Sequence, residues 1–193
     1  MTKELIRIAV TNRHLCDVSL GEQVRCLAQS KELRPDLLIL REKDLGEGEY
    51  EALAKEILPL CEEGNIRCIL HTYGNVARSL GVKALHLPMP LWKECMAEVS
   101  DFTTLGVSVH SVEEARFAQK HGASYITAGH VFSTDCKKGM APRGLDFLRE
   151  VCAAVTIPVY AIGGIGPDNI PLVQKKCGSV AGVCMMSYYM KFK

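Results

Sequence analysis

The chain has 193 residues, 48% hydrophobic and 23% charged, with a net charge of +1 at neutral pH and a pI near 7.6. That is the size and make-up of one globular domain with a sizeable core, so residues 1–193 are taken as a single domain. The charge balance offers no basic field for nucleic acid, and no apolar run approaches the ~20 residues a membrane helix needs. Residues 1–4 lead straight into a strand-like segment without a secretory pattern, so a cytoplasmic protein is expected. The nine cysteines are odd in number and scattered without a CxxC pair, which supports neither a zinc knuckle nor a redox motif. Most lie in apolar stretches, where a free thiol behaves as a small hydrophobe. Cys136 differs in sitting beside Lys137 and Lys138.

In chain order, short apolar runs predict strands over 6–10, 37–40, 66–71, 84–87, 104–110, 125–132, 158–162 and 180–186. Amphipathic stretches between them predict helices near 21–31, 49–63, 75–80, 90–99, 111–121, 144–155 and 167–176. Ser111 with Glu114 reads as a capping box, Pro167-Asp168 as a helix start, and Gly122 as the residue after a helix end. Strict alternation implies a parallel sheet, and eight strands imply an α/β (β/α)8 TIM barrel. Only residues 188–193 follow the last strand, so the final helix is expected to be shortened or missing, with a homodimer as one way to seal that end.

Chemistry in such barrels sits at the carboxyl ends of the strands. Strand seven runs into Gly163-Gly164-Ile165, where bare glycine lets backbone N–H groups approach a phosphate. Strand eight ends at Met186-Ser187, which adds an N–H and a hydroxyl, so these four residues are candidates for gripping a phosphate. His130 closes strand six just before the lysine loop. Imidazole gives and takes protons near neutral pH, which makes His130 the candidate acid/base. Arg41 and Lys43, two apart after strand two, are candidates for holding a carboxylate or phosphate, with a solvated loop as the competing reading. Ser108 at the end of strand five and Lys138 in the loop after His130 complete the candidate set. His71 and His86 read as structural, and His110 as a loop residue beside the Ser111 cap. Four histidines at strand ends raise a metal site, but neither spacing nor carboxylate partners support one, so no metal or cofactor is expected.

From about residue 37 to 187 the chain resembles the thiamine phosphate synthase/TenI family of barrels. The resemblance rests on Leu40-Arg41-Glu42-Lys43-Asp44, Gly106-Val107-Ser108-Val109-His110-Ser111, Ile162-Gly163-Gly164-Ile165 and Met186-Ser187. It implies that Gly163, Gly164 and Ser187 bind a thiazole phosphate. Synthases of this family join that thiazole to a pyrimidine diphosphate and hold Mg²⁺ with aspartates after strands three and four. Here those places read Tyr73-Gly74 and Met89-Pro90-Leu91, which offer no carboxylate. The stretch Gly129-His130-Val131-Phe132 with Thr134-Asp135-Cys136-Lys137-Lys138-Gly139 is similar to TenI-type thiazole tautomerases, which implies the acid/base role for His130. The expected reaction is aromatisation of a carboxylated thiazole ylidene phosphate. Thiamine phosphate synthesis and non-catalytic thiazole phosphate binding are the alternatives, the latter because fold does not fix function. A sugar-phosphate aldolase is disfavoured, since no strand-end lysine sits in an apolar pocket.

Overall fold

Each apolar run becomes a short strand, and each amphipathic stretch a helix laid over the strands. The computed structural model describes residues 4–134 and 139–191. Its strands are β1 (Ile6–Val10), β2 (Leu37–Leu40), β3 (Arg67–His71), β4 (Ala84–Pro88), β5 (Thr104–Val109), β6 (Tyr125–Gly129), β7 (Val159–Ile162) and β8 (Gly182–Met185). The helices are α1 (Leu20–Gln29), α2 (Glu47–Glu63), α3 (Gly74–Ser79), α4 (Met89–Cys95), α5 (Val112–Lys120), α6 (Gly144–Ala154), α7 (Ile170–Lys176) and α8 (Ser187–Met190). The strands pair in sequence order and β8 closes on β1, all parallel, so the fold is a (β/α)8 barrel.

Both faces of the strands are covered, as parallel sheets require. Leu38, Leu40, Leu70, Leu85, Val107 and Ile126 pack outward beneath the helices. Ile8, Val10, Ile39, Ile69, Tyr125 and Tyr160 fill the barrel interior. Above that apolar plug, nearer the carboxyl ends, the buried set turns polar with His71, His86 and Thr127.

Helix starts follow their caps. Ser19 and Glu22 form a complete capping box on α1. On α5 the Ser111 hydroxyl accepts from Glu114 N–H, but the Glu114 carboxylate takes the N–H of His110 at 2.6 Å rather than that of the cap. Several expected boundaries move, among them the end of the fourth helix, which stops at Cys95 rather than near 99, and those of strand six and the seventh helix. Strand six was expected to reach residue 132 and stops at Gly129, which approaches β7 so closely that a Cβ there would lie 2.3 Å from the Ile162 carbonyl oxygen. The seventh helix begins at Ile170, not at Pro167, since Asn169 folds back to accept the Gly166 N–H at 3.1 Å. The final helix is present but shortened to one turn, tied down by a buried bond from Gln23 Nε2 to the Tyr189 carbonyl at 2.7 Å. Among the described residues no helix is long and apolar enough to cross a membrane.

Candidate active site

The carboxyl ends of the strands open into a cavity of about 870 Å³. Arg41, Lys43, Ser108 and His130 line it, together with Gly163, Gly164, Met186 and Ser187. Lys138, with Asp135, Cys136 and Lys137, lies outside the described residues.

Past the end of β2 the charged run separates by alternation. Arg41 and Lys43 reach the cavity, while Glu42 and Asp44 turn away to Arg13. Both lie in the loop after Leu40. Glu42 is buried and accepts the Arg13 backbone N–H with both oxygens and the guanidinium with one, each at 3.1 Å. The Asp44 carboxyl is held far below the usual carboxylate range by the Arg13 guanidinium and by His14. This clamp fixes the loop that aims Arg41 and Lys43. Glu42→Leu removes the acceptor for a backbone N–H and a guanidinium, so a loss of about 1–3 kcal/mol in unfolding free energy is expected by urea titration with an unchanged slope.

His130 follows β6 and is 4% exposed. Its Nε2 lies 3.4 Å from the Met140 carbonyl oxygen, which can only accept, so that nitrogen carries the proton in this contact. Nδ1 is buried with no hydrogen-bond partner among the described residues. The segment around it is zipped to the glycine turn, Val131 N–H donating to Ile162 O at 2.9 Å and Phe132 N–H to Gly163 O at 3.0 Å. Gly163 (φ +100°) and Gly164 (φ +65°) take backbone conformations that favour glycine. Asn169 pins the turn from outside, its Nδ2 donating to Gly164 O at 2.8 Å. The acid/base candidate and the candidate anion-binding turn are therefore one packed unit.

The cavity also gathers residues that sequence reasoning left aside. His71 lines it, and its imidazole is held neutral by burial and by the nearby charges of Arg41 and Lys43. His110, read as a loop residue, lines it too and donates from Nδ1 to Gly129 O at 2.7 Å. Thr127, Asp168 and Asn169 complete the wall. A strand-end position was the available signal for His71, and a turn position for Asp168 and Asn169; Thr127 lies mid-strand and carried none.

The Mg²⁺ expected of a synthase finds no carboxylate after β3 or β4. The chain leaves β3 through Thr72-Tyr73-Gly74 and β4 through Pro88-Met89-Pro90, whose side chains bring no carboxylate. Among the described residues no group of three His, Cys, Asp or Glu side chains is placed to hold a metal.

Comparison with known proteins identifies the scaffold. Residues 8–188 match the family described as thiamine monophosphate synthase. The chain belongs to that family. A putative thiamine-phosphate synthase 2 of Aquifex aeolicus strain VF5 is 34% identical over 148 residues, covering 76% of this chain and 80% of that protein. The thiamine-phosphate synthase of Pyrococcus abyssi is 33% identical over 177 residues, covering 91% and 84%. Among solved structures, a thiamine phosphate pyrophosphorylase from Pyrococcus furiosus superposes with a TM-score of 0.80 at 30% identity, covering 98% of this chain and 89% of the other. The barrel is thus that of the thiamine monophosphate synthase family.

Proposed function

We propose that this family member is a thiazole tautomerase, acting on a carboxylated thiazole ylidene that bears an ethyl phosphate. The proton on the carboxylated ring carbon leaves to His130, the ring electrons shift, and the same proton returns to the exocyclic carbon. No oxidant, reductant or second substrate is needed, and aromaticity drives the step. Gly163, Gly164, Met186 and Ser187 hold the phosphate, while Arg41 or Lys43 holds the ring carboxylate. The observation that carries the reading is His130 itself, lining the cavity beside the Gly163 turn.

The second reading is thiamine phosphate synthesis, favoured by the names of the relatives, which speak of synthases and not of tautomerases. Against it stand the strand ends without carboxylates where that chemistry would hold Mg²⁺.

Ultraviolet absorbance or proton NMR of the thiazole ylidene phosphate with the native protein tests the first reading. Rapid aromatisation without added metal is the expected result. Thiazole phosphate, pyrimidine diphosphate and Mg²⁺ form the parallel arm. Thiamine phosphate appearing there, with no aromatisation in the first arm, overturns the proposal in favour of synthesis. Binding of the carboxythiazole phosphate without turnover in either arm would make this a binding protein on an enzyme's scaffold.

A further inference from the structure

Ser108 is the cavity end of a buried hydrogen-bond row that neither the proton shift nor the phosphate grip uses. Residues at one level pair across four adjacent strands: His71 with His86, His86 with Gly106, and Gly106 with Tyr125. A Cβ on Gly106 would lie 2.1 Å from Tyr125 Cζ and 2.4 Å from His86 Nδ1. The missing side chain lets Tyr125 reach across β5, and its hydroxyl sits 2.9 Å from His86 Nδ1. On the other side of the ring, His86 Nε2 is 2.8 Å from Ser108 Oγ, which in turn is 3.2 Å from Thr127 Oγ1. Ser108 and Thr127 line the cavity, with Tyr125 and His86 behind them.

The protons along this row decide what it offers a ligand. His86 is buried, and desolvation together with the Arg41 charge pushes its imidazole down to about 3, so it carries one ring proton between two partners. Burial pushes the Tyr125 phenol well above its ordinary range, so it keeps its proton. Among the described residues the only hydrogen-bond partner of that hydroxyl is His86. A buried O–H without an acceptor is costly, so Tyr125 donates to Nδ1 and the ring proton resides on Nε2, donated to Ser108. Ser108 and Thr127 then hold two protons and share one bond, which leaves one hydroxyl proton for the cavity. With the ring proton on Nδ1, Ser108 would donate to Nε2 and Thr127 to Ser108, and only lone pairs would face the ligand.

We infer that Tyr125 and His86 are positioning residues that make the Ser108–Thr127 pair a single, fixed hydrogen-bond donor to an acceptor atom of the bound thiazole. Only the identity of that acceptor rests on the proposed function; the direction of the bonds does not.

Long-range ¹H–¹⁵N NMR of the full chain labelled in histidine reads the tautomer directly, with His86 assigned by its loss in His86→Gln. A pyrrole-type Nε2 and a pyridine-type Nδ1 are expected, and the reverse pattern overturns the inference. Calorimetric titration with carboxythiazole phosphate gives a second readout. Tyr125→Phe keeps the ring but loses the donor, and about tenfold weaker binding is expected. His86→Leu should weaken binding by at least as much. His86→Gln, whose amide can accept from Tyr125 and donate to Ser108, should stay within about threefold of native. Equal affinity in native, Tyr125→Phe and His86→Leu proteins also overturns the inference. Should His86→Leu fail to fold, the native spectrum still decides. Neither readout requires turnover, so an Nε2–H tautomer in a protein that does not aromatise the ylidene defeats the tautomerase reading alone.

Discussion

Replacing His130 with asparagine is expected to slow aromatisation by about 10²–10⁴-fold, the usual contribution of a positioned acid/base. Carboxythiazole phosphate should still bind, because the proposed anion grip of Gly163, Gly164 and Ser187 belongs to the turns after β7 and β8. Asparagine keeps a polar side chain where His130 makes only a long contact to the Met140 carbonyl, so the melting temperature should hardly move. The kcat by ultraviolet absorbance and the dissociation constant by calorimetry separate the two effects. An unchanged kcat would transfer the base role to another imidazole at the cavity. Both rivals start from a weaker position: His71 is held neutral well below its ordinary range, and His110 already spends Nδ1 on the Gly129 carbonyl.

The barrel was legible because its strands are short apolar runs separated by capped amphipathic helices, a pattern fixed by local chemistry. Ser111 and Ser19 stop water-exposed donors from fraying at helix starts, and each does so where a sequence signal exists. What local pattern does not carry is which strand residues face inward, since both faces of a parallel strand are apolar. His86 reads as structural for that reason; only closure of β4 against β5, with Gly106 leaving a gap, brings its ring to Ser108. His110 was obscured differently. Its place beside a helix cap was read correctly, but its side chain is aimed by a bond to Gly129, 19 residues away on the next strand. His130 and the glycine turn were legible as separate signals, and their contact was not, because it depends on the alignment of β6 with β7. The alternation at Arg41 to Asp44 was half legible: the cavity side follows from spacing, whereas the Arg13 clamp comes from β1 and needs the closed barrel.

That contact sets up the second large effect, at Gly163. A Cβ there would fall 2.3 Å from the Cβ of His130 and 2.6 Å from its Cα, at a φ of +100° that L side chains rarely adopt. Neither neighbour is the loose end of a flexible chain, so Gly163→Ala must move the turn, the histidine or both. Backbone strain of this kind costs on the order of 1–3 kcal/mol. Activity should fall further than stability, by roughly 10²-fold or more in kcat/KM, since a displacement near 1 Å suffices for that when a base must meet a held substrate. Gly48, exposed on α2 and away from the cavity, supplies the internal comparison, because a Cβ there meets nothing within 4 Å. Gly48→Ala should keep kcat/KM within about threefold, as open-surface changes usually do. Steady-state kinetics and thermal melts on the pair check both parts. If Gly163→Ala lost only phosphate affinity and kept kcat, the turn would grip the anion without placing the base, and the two loops would act independently. Equal losses in kcat and in anion affinity would instead mark the turn as the common support, with the substrate phosphate held on one side of the Gly163 backbone and His130 packed against the other.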